Sequence, residues 1–210
     1  MKRRGFLQLT GRSIMAVLAA TLPFGFARMM SPNVSADTRW RIRPPGALKN
    51  DDAFIAACIG CGLCGEVCPP KCIQFYTHEG GKKANTPYID PAQKACILCD
   101  KCMEVCPTES LTVIPKKEID MGIAQIDQSA CYPWVDQGVC GACVVICPLG
   151  EKAIGFDFAN FYKPVVHDGC VGCGLCVEVC PHPSLPIWIV ERSEGTVAKH
   201  GAGKRHQWIQ

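Results

Sequence analysis

No nucleophile–base grouping, phosphate loop or paired-carboxylate signature occurs in this 210-residue chain, so the sequence offers no substrate site and no small-molecule substrate. The apolar stretch near its start, residues 13–27, has 15 residues, short of the roughly 20 that cross a bilayer as a helix. Aromatic residues are scarce and histidines number five. Lone ones such as His78, His167 and His182 read as polar residues near loops rather than as ligands or proton carriers. Trp40, Trp134 and Trp188 read as packing residues. Acidic residues are absent from positions 1–36, which carry Lys2, Arg3, Arg4, Arg12 and Arg28. Setting that segment aside lowers the basic count from 22 to 17 against 19 acidic residues, and turns a formal charge of +3 into −2. The body of the chain therefore has no electrostatic footprint for nucleic acid.

What the chain has in excess is cysteine, glycine and proline: 17, 20 and 16 residues. The last two predict many turns and short elements. The cysteines fall in blocks whose first members are Cys58, Cys96, Cys131 and Cys170, a repeat of 35–39 residues. Three blocks read C-x2-C-x2-C-x3-C-P: Cys58, Cys61, Cys64, Cys68 before Pro69; Cys96, Cys99, Cys102, Cys106 before Pro107; Cys170, Cys173, Cys176, Cys180 before Pro181. This is the ligand run of bacterial ferredoxins. Three closely spaced cysteines on a tight loop can wrap three corners of a [4Fe–4S] cubane, and glycines such as Gly60, Gly62, Gly172 and Gly174 let the backbone approach. The fourth cysteine, beyond one helical turn, points away to a second cluster. The third block is stretched: Cys131, then Cys140, Cys143 and Cys147 before Pro148, with eight residues in the first gap. A longer gap lengthens one side of the loop, so four ligands are assigned here too. All sixteen are taken as iron ligands of four [4Fe–4S] clusters.

Two other uses of cysteine fit less well. A disulfide framework does not repeat one spacing three times with a closing proline. Zinc needs two C-x2-C pairs per site and would leave the third interval redundant. Cys72 is left over, and reads as a small buried residue starting a strand, with a substitute ligand or redox-active thiol as the alternative.

The start, Met1-Lys2-Arg3-Arg4-Gly5-Phe6-Leu7, resembles a twin-arginine export signal, and Val34-Ser35-Ala36 offers small residues for cleavage after Ala36. That route carries folded proteins, which suits a chain whose clusters are inserted before export. The expected organisation is a signal peptide at 1–36, a Pro-rich connector at 37–57, a four-cluster ferredoxin domain at 58–190 and a polar, basic tail at 191–210. Short strands are expected at 73–77, 111–114, 123–126, 154–158, 164–166 and 187–190, with a turn at Glu79-Gly80-Gly81-Lys82 and a helical turn between the third and fourth cysteines of each block. The fold class is α+β and loop-rich: two bacterial-ferredoxin-like 2[4Fe–4S] modules with short β-hairpins and short helices.

Arg41-Ile42-Arg43-Pro44-Pro45-Gly46 before block one, Thr86-Pro87-Tyr88, Met121-Gly122 and the stretched third block, with the leader and the His206-Gln207-Trp208 tail, give the chain a more specific likeness. It resembles the ferredoxin-type proteins of periplasmic nitrate reduction and methylamine utilisation, the NapG/MauM kind. The resemblance implies an electron carrier and not an enzyme. It implies a periplasmic place at the membrane face, with a polytopic membrane ferredoxin or quinol dehydrogenase as one partner and a periplasmic reductase, or a methylamine-utilisation chain, as the other. An iron–sulfur subunit of a molybdenum-type oxidoreductase and an accessory protein maturing the terminal enzyme are the alternatives. Gaps of 27, 24 and 22 residues between blocks leave the pairing open between sequential and nested. Resemblance to four-cluster subunits of molybdenum oxidoreductases favours nesting: Cys180 with block one, Cys68 with block four, Cys147 with block two and Cys106 with block three.

Overall fold

A computed structural model describes residues 41–157 and 162–192. The twin-arginine leader with its cleavage position, Trp40, and the tail from 193 with its Lys199, His200, Lys204, Arg205, His206 and Trp208 lie outside the described residues. No helix among the described residues is long and apolar enough to cross a membrane.

Each cysteine block ends in a helix of one turn, and the sequence shows why it is so short. The helices within blocks one and two, α2 (Leu63–Val67) and α3 (Lys101–Val105), start from residues in left-handed backbone, Gly62 at φ 81 and Asp100 at φ 64. α4 (Ala142–Ile146) serves block three and α5 (Leu175–Glu178), started by left-handed Gly174, serves block four. The Cys–Pro step stops three of them. A residue before proline is pushed out of helical backbone, and Cys68, Cys106 and Cys147 are all extended, at φ/ψ of −68/113, −67/122 and −63/119. The proline thus swings the fourth cysteine off the helix axis. Helices of four or five residues have no stability of their own, so packing and ligation must hold them.

Short antiparallel pairs close the chain into two modules. In the first, β1 (Ile73–Phe75) pairs with β2 (Pro87–Ile89) in the register Ile73↔Ile89, with the 3-10 segment His78–Lys83 between them. In the second, β4 (Ile154–Asp157) pairs with β5 (Lys163–Val166) as a hairpin between blocks three and four. Flanking that hairpin, β3 (Ile123–Ile126) before block three pairs with β6 (Ile187–Val190) after block four. The corresponding outer pair of the first module is a single bridge, Ala47↔Leu111, so the strand expected at 111–114 is reduced to one residue.

The connector is built into the first module. Ile42 bridges to Ile89, Pro44 and Pro45 are fully buried, and the Arg41 guanidinium lies over the rings of Tyr88 and Tyr76 at 4.7 and 5.0 Å. Within the stretch expected as a Pro-rich connector, residues 51–57 form a helix, α1 (Asp51–Ala57). Asn50 Oδ1 caps it by accepting from the Ala53 amide, and two aspartates fill the first turn where the helix dipole favours them. Ile89, Ile123 and Val177, each at most 1% exposed, are at the centre of one apolar core that runs through both modules.

Candidate iron–sulfur sites

Four cavities in this fold are ringed by cysteine. Site 1 is lined by Cys58, Cys61, Cys64 and Cys106. Site 2 is lined by Cys96, Cys99, Cys102 and Cys68, with Cys72 beside them. Site 3 takes Cys131, Cys140, Cys143 and Cys180, and site 4 takes Cys170, Cys173, Cys176 and Cys147. Every block therefore contributes three sulfurs to one cavity and its fourth to the neighbour, as its spacing predicts.

The nested pairing is overturned. Cys180 stands with block three and not block one, Cys106 with block one, Cys68 with block two and Cys147 with block four. The reason is local closure. The gaps of 27 and 22 residues hold the β1–β2 and β4–β5 hairpins, which fold block two onto block one and block four onto block three.

The cavities suit a cubane. All seventeen cysteines are free thiols. Among the described residues no three of them converge on one point as a mononuclear ion would require; they ring cavities instead. Backbone amides face the sulfurs: Leu98 N–H donates to Cys96 Sγ over 3.4 Å and Ala124 N–H to Cys170 Sγ over 3.5 Å. The loops double back through left-handed residues on both sides of the second cysteine, Gly60 and Gly62, Leu98 and Asp100, Gly172 and Gly174. Block two thus places two side-chain-bearing residues where blocks one and four have glycine.

Burial pushes the Cys64 thiol up to about 11, and Cys102, Cys143 and Cys173 up to about 12. After burial, neighbouring thiols contribute: Cys64 acts on Cys102, Cys143 and Cys147 on Cys176, and Cys96 on Cys173. These are cavities where thiolate charge is costly unless a cation meets it, and metal binding there releases protons. The same neighbour relations put site 1 beside site 2, site 2 beside site 4, and site 4 beside site 3. Burial also acts to raise Cys106, yet the hydroxyls of Ser110 and Thr108 with the amides of Thr108 and Leu111 hold it below the ordinary thiol value.

Cys72 is where the sequence reading fell short. It is buried at the start of β1 as expected, but its sulfur also faces site 2, 3.5 Å from that of Cys68. The signal available in the sequence is its position four residues past a ligand cysteine, the spacing at which Ser110 follows Cys106. Of the histidines, His182 lines site 3 and stacks on Tyr132 at 4.6 Å, while its Nδ1 is taken by Ser184. Trp134 bonds the Pro164 carbonyl oxygen through Nε1 and packs under Lys163, so packing describes it.

Two sequential modules, each a pseudo-symmetric pair of cysteine loops around an inner hairpin, define a ferredoxin-type protein of the dicluster class. The family described as a 4Fe-4S dicluster domain matches residues 57–110 and 95–150, and a second family of that description matches 124–185. The chain is 30% identical over 225 residues to the ferredoxin-type protein NapG of Escherichia coli K12, covering 99% of this chain and 93% of NapG. It is 33% identical over 183 residues to the methylamine utilization ferredoxin-type protein MauM of Paracoccus denitrificans, covering 82% and 80%, and 30% identical to MauM of Methylobacillus flagellatus over 99% of this chain. The chain belongs to the NapG/MauM family of ferredoxin-type electron-transfer proteins.

Proposed function

We propose that this chain is a periplasmic electron carrier holding four [4Fe–4S] clusters, and that it joins a membrane quinol-oxidising partner to a periplasmic reductase or to a methylamine-utilisation chain. The observation that carries the reading is the set of four cysteine-ringed sites, adjacent in the order 1, 2, 4, 3. Cys58, Cys61, Cys64 and Cys106 would hold the first cluster, Cys96, Cys99, Cys102 and Cys68 the second, Cys131, Cys140, Cys143 and Cys180 the third, and Cys170, Cys173, Cys176 and Cys147 the fourth. When bound, each cluster supplies a one-electron redox centre.

The chain's own part is to space, insulate and present these sites. Sites 2 and 4 stand in the middle of that order, and sites 1 and 3 at its ends. Both ends offer apolar side chains to solvent beside their ligand loops, Ile59 and Leu63 at site 1 and Val139, Val145 and Ile146 at site 3. Cys61 is the one exposed cysteine. Such apolar surface at each end suits two different docking partners. Export through the Arg3–Arg4 leader in the folded state fits a chain whose buried ligands are filled before it crosses the membrane.

Anaerobically purified protein is expected to contain about 16 iron and 16 sulfide per chain, from four cubanes. Near-stoichiometric zinc with little iron would overturn the reading. Replacing Arg3 and Arg4 by Lys is expected to hold the precursor in the cytoplasm with its iron in place, and normal periplasmic delivery would refute the export assignment. In a deletion strain the terminal enzyme is expected to work with an artificial donor; an inactive enzyme there would point to an accessory, maturing role.

A further inference from the structure

Four residues beyond the fourth cysteine, the first module twice returns the chain to that cysteine's sulfur and places a buried donor there. Ser110, 3% exposed, puts Oγ 3.3 Å from Sγ of Cys106, and Thr108 Oγ1 lies 3.6 Å from the same sulfur and 3.0 Å from Ser110 Oγ. Cys72, 1% exposed, puts Sγ 3.5 Å from Sγ of Cys68. Lys71 makes the return possible: its backbone sits at φ 54 and its amide donates to the Cys68 carbonyl oxygen over 3.1 Å. The second module has no such donor. Glu151, four past Cys147, is exposed, and Ser184, four past Cys180, gives its hydroxyl to His182 Nδ1 at 2.8 Å.

Site 2 therefore holds five thiols against the four iron corners of a cubane. The internal symmetry says which is surplus. Cys68 stands to site 2 as Cys106 stands to site 1, and Cys72 stands where Ser110 stands, as a donor to the ligand and not as a ligand.

We infer that Ser110 and Cys72 are tuning residues: the Ser110 hydroxyl donates to the Cys106 sulfur and the Cys72 thiol to the Cys68 sulfur, and each raises the reduction potential of its own site. The inference rests on the cluster reading given above. Reduction adds negative charge to the cluster and its thiolates, and a hydrogen bond to sulfur stabilises the more negative state. The hydroxyl is the better donor of the two, so the larger effect belongs to site 1. With side-chain donors at this position confined, among the described residues, to sites 1 and 2, this contribution favours electrons in the first module over the second.

The test is a potentiometric titration, followed by electron paramagnetic resonance, of anaerobically purified full-length protein and its variants, with iron counted first. Ser110→Ala and Cys72→Ala are each expected to keep about 16 iron and to shift one cluster, a different one in each variant, to more negative potential. Cys72→Ser retains a donor and is expected to shift less than Cys72→Ala. Ser110→Cys exchanges a hydroxyl for a thiol, and is expected to shift by less than Ser110→Ala. Ser184→Ala, whose hydroxyl bonds a histidine, is expected to leave all four potentials unchanged. Full iron with unchanged potentials in both alanine variants would overturn the inference. A loss of about four iron in Cys72→Ala would make Cys72 a ligand and overturn it at site 2. An iron-poor wild type would instead mean that the cluster reading itself has failed.

Discussion

The amide of Cys96 donates a hydrogen bond to the carbonyl oxygen of Cys173 over 3.1 Å, so a ligand loop of the first module is tied directly to a ligand loop of the second. Beside it, Glu178 grips the same stretch: Oε2 accepts from the Ala95 amide and Oε1 from Lys94 Nζ, both at 2.7 Å. This junction is what makes sites 2 and 4 neighbours. Glu178→Ala is expected to lower stability by about 1–2 kcal/mol, given a charged acceptor that is only partly shielded from water. Iron content is expected to stay full while electron equilibration between the modules slows, as followed by rapid reduction kinetics.

Sequential pairing makes pairs of cysteine variants diagnostic. Cys58→Ser combined with Cys106→Ser strikes one site twice, and is expected to cost about four irons of about sixteen. Cys58→Ser combined with Cys180→Ser strikes two sites and is expected to cost about eight. Iron analysis separates the two arrangements, since nesting predicts the reverse.

The motif glycines are not equivalent. A Cβ on Gly172 would stand 2.7 Å from the Gly122 carbonyl oxygen, and φ there is +73, whereas one on Gly62 would meet nothing within 4 Å. Gly172→Ala is expected to destabilise by several kcal/mol, through clash and strain together, and Gly62→Ala by about 1 kcal/mol, through strain alone. Asp100 already carries that strain at φ 64, with Oδ1 buried and unpaired. Asp100→Gly is expected to stabilise by about 1 kcal/mol. Urea unfolding under anaerobic conditions measures all three.

Asp51 gives a pH dependence. The hydrogen bond from Lys83, and the charges of Lys83 and Arg43, hold its carboxyl below the usual range despite some burial. Its contribution is therefore present above the unfolded carboxyl value and is lost as pH falls through the lower folded one. The group is about half exposed, so Asp51→Asn is expected to cost no more than about 1 kcal/mol at pH 7. Near about pH 2 the two proteins are expected to have equal urea midpoints.

Local spacing was read correctly where local physics governs. The strands at 123–126 and 187–190 have the expected bounds, and Glu79 to Lys82 lies in the connection of the first hairpin. The helical turns before each fourth cysteine are present; left-handed residues begin those of blocks one, two and four, and the Cys–Pro step ends those of blocks one, two and three. Pro87–Ile89 was not expected as a strand, because a proline at its head obscures the short apolar run; the edge position tolerates the missing amide. The helix at 51–57 was hidden behind the proline-rich connector, although Asn50, Asp51 and Asp52 are a legible cap.

The sequence by itself determined which three cysteines of blocks one, two and four share a cavity, since a loop of seven residues has few ways to close, and it determined that the fourth must leave. Only the tertiary structure decided where the fourth arrives. That choice rests on hairpins such as Ile73↔Ile89 and Ile154↔Val166 and on the contact between Cys96 and Cys173, pairings across tens of residues that no local spacing encodes. The place of Cys72 at site 2 was decided in the same way, by a turn at Lys71 that sets a thiol against Cys68 once the module has closed.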